Sequence, residues 1–209
     1  MEDVLDVYRR PYDAGVPVIC MDETSKQLLG DIRAPLPPEP GHPERVDSEY
    51  ERRGVANLFL WCEPLSGRCE VSVTERRTRV DWAQWARDLV DESYPEASRI
   101  VLVSDNLNVH SLTSLYEAFA PAEAKRIADR LEMHYTPKHG SWLNIAEIEL
   151  SVLSRQCLDR RIPDRKGLER EVAAWQFHRA TNLRAIDWRF TTEDARIKLK
   201  RLYPTIVVS

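Results

Sequence analysis

Three acidic residues from separate parts of the chain have the side-chain type and setting needed for metal-dependent chemistry. Asp22 and Asp105 follow short apolar runs, at 18–21 and 100–104, that are typical of buried strands. Glu147 lies far along the chain, within a segment predicted to be a long helix. A charged residue at the mouth of a buried strand is costly unless something pairs with it.

A shared cation would explain why such acids are placed together. Three carboxylates brought together from distant segments repel one another, and a divalent cation removes that repulsion. Hard oxygen ligands of this kind suit Mg²⁺ or Mn²⁺. The sequence therefore predicts a divalent-metal site formed by Asp22, Asp105 and Glu147.

Each of these acids also has a simpler interpretation. Asp22 could be a turn or cap residue after its strand, and the adjacent Glu23 competes for the same role. Asp105 could form an Asx-turn or cap the helix that follows it. Glu147 could be a solvated helix residue, with Glu149 as its rival. Two residues two positions apart on a helix differ by about 200°, so only one can face a metal.

Polar and aromatic residues near these acids could support the chemistry. His110 could orient Asp105 or the substrate, although a structural histidine fits equally well. Lys138 and His139 lie in the loop before the predicted helix, where positive charge could meet a phosphate. Trp142 could stack on a nucleic-acid base, but we expect it to pack on the sheet beneath.

Length and composition indicate an ordinary globular protein. With 209 residues, 43% hydrophobic and 31% charged, the chain can form one large domain or two small ones. No apolar run approaches the ~20 residues of a membrane span, and the N-terminus has no signal-peptide pattern. The four cysteines form no CxxC pair, which favours reduced thiols in a cytoplasmic protein over disulfides or zinc.

The charge is unevenly distributed along the chain. The net charge is −4, yet residues 151–209 hold 13 Lys/Arg and 7 Asp/Glu, a local charge of +6. Basic clusters lie at 76–79, 160–166 and 196–201. Phosphate contacts need only local positive charge, but a solvated helix face is the simpler interpretation of each cluster. For 196–201 we expect an amphipathic terminal helix.

The order of predicted elements favours an α/β fold. The first three strands suit an antiparallel meander and the later strands alternate with helices, which predicts a mixed five-stranded sheet with helices on both faces. Strands are expected at 16–21, 56–62, 69–74, 100–104 and 131–135, and helices after an Asp81 cap and at 111–120, 121–130, 142–157 and 164–179. The Pro-rich segment 31–48 is expected to be an irregular loop.

Three local motifs resemble the catalytic boxes of the DDE superfamily. They are Met21-Asp22-Glu23, the stretch Ser104–His110, and the stretch Tyr135–Glu147. Within that superfamily they look most similar to the mariner-like transposases of bacterial insertion sequences. Segments 49–59 and 188–196 also resemble that group, so the resemblance covers nearly the whole chain. The fold that it implies is ribonuclease-H-like.

The resemblance implies a function, a cofactor and partners. Asp22, Asp105 and Glu147 would hold two Mg²⁺ ions, replaceable by Mn²⁺, for DNA end cleavage and 3′-OH strand transfer in DNA transposition. The implied partners are DNA, a second copy of the chain in a homodimer, and a separate helix-turn-helix protein. The resemblance implies no contact with a membrane, and a location in the bacterial cytoplasm at the nucleoid. The resemblance also implies that Asn106, His110 and Asn144 support the three acids. It further implies DNA contacts by Lys138, His139, Trp142 and Arg155.

Two departures from the family pattern qualify these expectations. The gap between Asp105 and Glu147 is 41 intervening residues, longer than usual in the mariner-like group, and 121–130 is expected to be an external insertion. The chain reaches Asp22 without the helix-turn-helix domain that normally comes first. We therefore expect the catalytic half alone, a single domain over 1–209 with a helical part at 142–209. The alternatives are a ribonuclease-H-like nuclease without strand transfer, and an inactive DNA-binding or oligomerisation fragment.

Overall fold

A single mixed sheet organises the protein, as a computed structural model of residues 1–43, 45, 47–138 and 140–203 describes it. The strand order is β3-β2-β1-β4-β5, with antiparallel pairing among the first three strands and parallel pairing from β1 to β4 and β4 to β5. The predicted five-stranded sheet and its meander are confirmed. The strands are β1 (Val18–Asp31), β2 (Tyr50–Glu63), β3 (Arg68–Thr74), β4 (Ile100–Ser104) and β5 (Leu131–Tyr135).

Helices cover both faces of the sheet, as predicted. Successive side chains of a strand point to opposite faces, so Cys20 packs with α1, α5, α6 and α7, while Ile19 and Met21 pack with α2, α3 and α4. β4 is buried throughout because both of its faces are covered. The helices in the described residues are α1 (Glu2–Tyr8), α2 (Arg79–Asp88), α3 (Thr113–Ala118), α4 (Pro121–Asp129), α5 (Ile145–Leu153), α6 (Arg165–Thr181) and α7 (Thr192–Lys198).

The first strand is longer than the sequence pattern predicts. We expected β1 to end before Asp22, and this is wrong: β1 continues to Asp31, which pairs with Tyr50 of β2. The extension carries polar and half-buried residues, so it lacks the apolar run that marked the strand. The described residues of the segment that follows are irregular as predicted, apart from two isolated bridges, Leu36 to Arg45 and Glu39 to His42.

The start of α2 differs from the prediction, and one further helix was not predicted. α2 begins after Thr78 rather than at Asp81, because Thr78 and Asp81 form a reciprocal capping box in which each side chain accepts the other's backbone N–H. The helix α1 was not predicted at all. Its buried Val4, Leu5 and Val7 form a short apolar face.

The segments on either side of β5 also differ from expectation. The segment 121–130 forms α4, a helix as predicted, but it is not external, because its Ala124 and Ile127 are fully buried in the core. The predicted long helix at 142–157 is divided into three parts. A 3₁₀ turn (Ser141–Leu143) precedes α5, and a π-helical turn (Ser154–Leu158) follows it. The break at Asn144 arises because that residue is extended and caps α5.

The cysteines and most basic clusters have structural explanations. All four thiols are free, and Cys20, Cys62 and Cys157 are buried. Arg161 binds Asp31 and three backbone carbonyls of the loop before β2. The cluster at 196–201 belongs to α7 and a 3₁₀ turn, where Arg196 pairs with Glu2. Across the described residues, no helix combines the length and apolar character needed to cross a membrane.

Candidate active site

Asp22 lies in the middle of the sheet, where β1 pairs with β2. Its partner is Leu60, and its place in the strand alternation puts it on the same face as Cys20 and α5. Burial, together with the negative charges of Glu23 and Asp105, raises the pKa of Asp22 to about 7, although the Glu23 N–H donates to its Oδ1 at 2.8 Å. A nearby cation would relieve this cost.

Asp105 follows directly after β4, the parallel neighbour of β1. Cys20 of β1 is in register with Val103 of β4, which brings the ends of the two acidic segments together. One Asp105 oxygen lies 2.5 Å from Nδ1 of His110 and also accepts the Leu107 N–H at 3.3 Å. The Asx-turn that we considered is therefore present, but it coexists with the histidine contact.

A buried charge network connects Asp105 to β1 through His110. His110 is fully buried, and its Nε2 makes an ion-pair contact of 2.8 Å with Glu23, whose side chain is 3% exposed. Burial alone would lower the pKa of His110, but its contacts with Asp105 and Glu23 raise it to about 9. His110 is thus positively charged near neutral pH and holds Asp105 in one orientation. Arg77 approaches Glu23 at 3.7 Å.

The two neighbouring acids on β1 therefore have different surroundings. Glu23 faces the α2 side of the sheet, where Trp82 packs 6.3 Å from the His110 ring. Asp22 faces the α5 side. Because the sheet separates the two side chains, only Asp22 lies on the face from which α5 can contribute a ligand.

The start of α5 is attached to β1 beside Asp22. The buried Asn144 accepts the Ala146 N–H at 3.2 Å through its side-chain oxygen and donates to the Met21 carbonyl at 2.8 Å. Glu147 lies in the first turn of α5 and is exposed. Asn144 thereby connects the helix that carries Glu147 to the residue next to Asp22.

Glu149 has a different environment from Glu147. Its side chain is buried and pairs with Arg179 of α6. This places Glu149 against α6, as the helical geometry requires if Glu147 faces outward. Of the two rival acids, Glu147 is therefore the one left accessible to a ligand.

An open cleft next to Asp105 is lined by Lys138, one of the predicted DNA contacts, and by the supporting residue Asn106. Its volume is about 430 Å³, and both Asn106 and Lys138 are exposed in its lining. The cleft runs from the loop after β4 to Ser141 at the turn before α5. Arg155 is exposed in the π-helical turn after α5. His139, another predicted contact, lies outside the described residues.

Trp142 does not pack on the sheet, contrary to our expectation. It is 41% exposed and meets Phe190 edge to face, with ring centroids 5.9 Å apart. The 3₁₀ turn points it outward, toward a groove that it shares with Lys138. Its surface is therefore accessible for stacking on a base.

Two residues that contribute to the site were not singled out in the sequence. Arg179 pairs with Glu149, and the Tyr8 hydroxyl donates to the Leu143 carbonyl at 2.6 Å, at the start of α5. Both contacts join segments far apart in the chain, which no local pattern reveals. The one available signal was the acidic first turn and apolar spacing of α1.

The carboxylates of Asp22, Asp105 and Glu147 are oxygen ligands of the kind that bind a hard divalent cation. Among the described residues, no three His, Cys, Asp or Glu side chains converge tightly enough to form a ready-made metal site. The reason is visible in two of the three acids: Asp105 is turned toward His110, and Glu147 is exposed. Burial first, and then the nearby charges of Glu23 and Asp105, raise the pKa of Asp22, and a bound cation would favour its ionised form.

Replacing Asn144 by Ala is expected to destabilise the protein. The change removes the cap of α5 and leaves the Met21 carbonyl without its donor. We expect a loss of about 1–3 kcal/mol in the free energy of unfolding, measured by urea denaturation. Asn182→Ala, at the exposed end of α6, is the control. An Asn144→Ala protein as stable as the control would contradict this role.

Comparison with known proteins gives one family match. Residues 17–169 match the model of the DDE superfamily endonucleases. This range includes all three candidate acids. No curated protein matches the sequence.

Solved structures share the fold. The Mos1 mariner paired end complex with Mn superposes with a TM-score of 0.55 at 15% identity, over 84% of this chain and 52% of the other. The Mos1 strand transfer complex gives a TM-score of 0.56 at 14% identity, over 83% and 50%. The chain thus spans about half the length of these proteins, and the likeness concerns the fold.

Proposed function

The chain belongs to the DDE superfamily of endonucleases, and from that premise we propose that it is the catalytic domain of a transposase. It cleaves DNA at the ends of a mobile element and transfers the freed 3′-hydroxyl to target DNA. The observation that carries this proposal is the meeting of three segments. Asp22 lies on β1 and Asp105 directly follows β4, the parallel neighbour of β1, and Asn144 ties the helix that bears Glu147 to the residue before Asp22.

We propose Asp22, Asp105 and Glu147 as ligands of two Mg²⁺ ions, with Mn²⁺ as a substitute. The raised pKa of Asp22 and the accessibility of Glu147 support this choice. The similar Mos1 complex with Mn supports it further. When bound, such ions activate the attacking hydroxyl and stabilise the leaving oxygen of an in-line phosphoryl displacement.

The residues of the chain have distinct tasks in this proposal. Asp22 must lose its proton to act as a ligand; burial raises its pKa to about 7, and a bound cation would favour that loss. His110 fixes the orientation of Asp105. Asn144 fixes the start of α5 and so limits where Glu147 can reach.

We propose that DNA enters along the cleft beside Asp105. Lys138, Arg155 and His139 would contact phosphates, Asn106 would support the acid beside it, and Trp142 would stack on an unpaired base. The exposure of Lys138 and Trp142 next to the cleft supports this path. The active assembly would be a homodimer on two DNA ends, consistent with the paired end complex of Mos1. A separate helix-turn-helix protein is a further candidate partner.

Cleavage and joining of DNA test the proposal directly. The unaltered chain should nick supercoiled plasmid with Mn²⁺ and join a labelled oligonucleotide with a free 3′-hydroxyl to it. Asp105→Asn should reduce both by at least about 10³-fold, because it keeps the shape of the side chain and removes its charge. Asp187→Asn, an exposed aspartate near the C-terminal end, is the matched control.

The pattern of products separates the candidate functions. Joined products support a transferase, and nicking without joining would favour a ribonuclease-H-like nuclease. Equal activity in the Asp105→Asn and Asp187→Asn proteins would refute the assigned acids. No activity in the unaltered chain would count against the proposed enzyme and for a binding fragment.

A further inference from the structure

The hydroxyl of the half-buried Tyr8 lies where α1, β1 and the start of α5 meet. The Tyr8 hydroxyl donates to the Leu143 carbonyl at 2.6 Å. The Ile145 N–H donates to the same oxygen at 3.4 Å, and the Cys20 sulfur lies 3.5 Å away. Cys20 comes two residues before Asp22, and Ile145 comes two residues before Glu147. The hydroxyl therefore contacts both segments that carry these acids.

The hydrogen-bonding capacity of this hydroxyl is fully used. A phenol has one donor and can accept through its lone pairs. The donor goes to Leu143, and the Ile145 N–H and the Cys20 thiol supply the protons that it accepts. Burial, together with the neighbouring Cys20, raises the pKa of Tyr8 well above its usual value, so the group stays neutral and keeps its donor.

The ring of Tyr8 is fixed by a second contact. It packs against Trp188 with centroids 5.1 Å apart, and the Trp188 indole N–H donates to the Phe190 carbonyl at 2.9 Å. Phe190 in turn meets Trp142 in the turn before α5. The segment after α6 thus contacts Tyr8 through Trp188 and Trp142 through Phe190. The contact with Trp188 leaves the Tyr8 hydroxyl little freedom to reorient.

We propose that Tyr8 is a positioning residue, whose hydroxyl sets the start of α5 against β1 and so fixes the separation between Glu147 and Asp22. The catalytic part of this inference rests on the proposed function. The inference about how α5 is positioned against β1 does not depend on that function. Phenylalanine would fill the same space, so a residue needed only for packing would not require the hydroxyl. Removing that hydroxyl leaves the buried Leu143 carbonyl without its donor.

The test compares Tyr8→Phe with Tyr12→Phe. Tyr12 is 58% exposed and is near in sequence, so it controls for the loss of a hydroxyl. In metal-free Tyr8→Phe, amide hydrogen exchange at Ile145, Ala146 and Glu147 should become about 10-fold faster. The dissociation constant for Mn²⁺ should rise about 3- to 10-fold, and kcat for plasmid nicking should fall about 10-fold with KM for DNA unchanged.

The outcomes distinguish this role from general destabilisation. Exchange that accelerates equally in the core strand β4 would mean that the hydroxyl only stabilises the whole fold, which would overturn the inference. If amide exchange at the start of α5 is the same in Tyr8→Phe as in the unaltered chain, the inference is overturned as well, whether or not kcat changes. If the unaltered chain nicks no DNA, the proposed function fails, whereas the exchange and Mn²⁺ measurements still decide the role of Tyr8.

Discussion

Replacing Asp22 by Asn is expected to abolish DNA cleavage and to make the metal-free protein more stable above neutral pH. The fold raises the pKa of Asp22 to about 7 from an ordinary value of 3.8, so the structure disfavours the ionised carboxylate. The stability that the protonated form provides is complete below about pH 4 and is lost as the pH rises through about 7. Above that pH, the variant should gain about 1–3 kcal/mol in the free energy of unfolding.

Thermal unfolding in a chelator, from about pH 4 to pH 8.5, measures this gain. The advantage of Asp22→Asn over the unaltered chain should grow up to about pH 7 and then level off. Added Mn²⁺ should raise the Tm of the unaltered chain more than that of the variant, because it binds the folded site. The exposed Asp187→Asn should show neither trend. A variant that is less stable at about pH 8, or that still cleaves DNA, would argue against this account of Asp22.

The two acids on α5 are expected to give opposite phenotypes when changed to glutamine. Glu147 is exposed, so Glu147→Gln should leave stability within about 0.5 kcal/mol of the unaltered chain and lower cleavage by at least about 10³-fold. Glu149 is buried against Arg179, so Glu149→Gln leaves a positive charge without its partner. That change should cost about 2–4 kcal/mol in the free energy of unfolding.

Each of these variants serves as the control for the other. They carry the same substitution two residues apart on one helix, and urea denaturation can be compared with nicking per folded molecule. Glu149→Gln should keep most of its activity wherever it is folded. If Glu149→Gln loses cleavage while remaining stable, and Glu147→Gln keeps it, the assignment of the two residues is reversed.

The parts of the fold that depend on local pattern were predictable from the sequence. β4 and β5 have the predicted bounds, because each is a compact run of mainly apolar residues beside a turn. The family of the chain followed from three motifs and is confirmed by the match over 17–169. The extension of β1 was missed because its stability comes from pairing with β2, a partner that begins nineteen positions after β1 ends.

The contacts that orient the acids could not be predicted in the same way. The sequence shows Glu23 and His110 as separate candidates, and only the packing of β1 against the loop after β4 makes them one network with Asp105. The choice between Glu147 and Glu149 depended on Arg179, thirty positions further along the chain. The 3₁₀ turn that exposes Trp142 follows from the Asn144 cap, whose partner Met21 is 123 positions away.

The alternation of β1 makes strand register a determinant of chemistry in this protein. Asp22 and Glu23 are adjacent in sequence, but one belongs to the face of α5 and the other to the buried histidine. A slip of one residue would exchange the two carboxylates between the faces. The continuous ladder from Cys20–Cys62 to Gln27–Val55 opposes such a slip. The pairing of β1 with β2 therefore keeps each acid on its own face of the sheet.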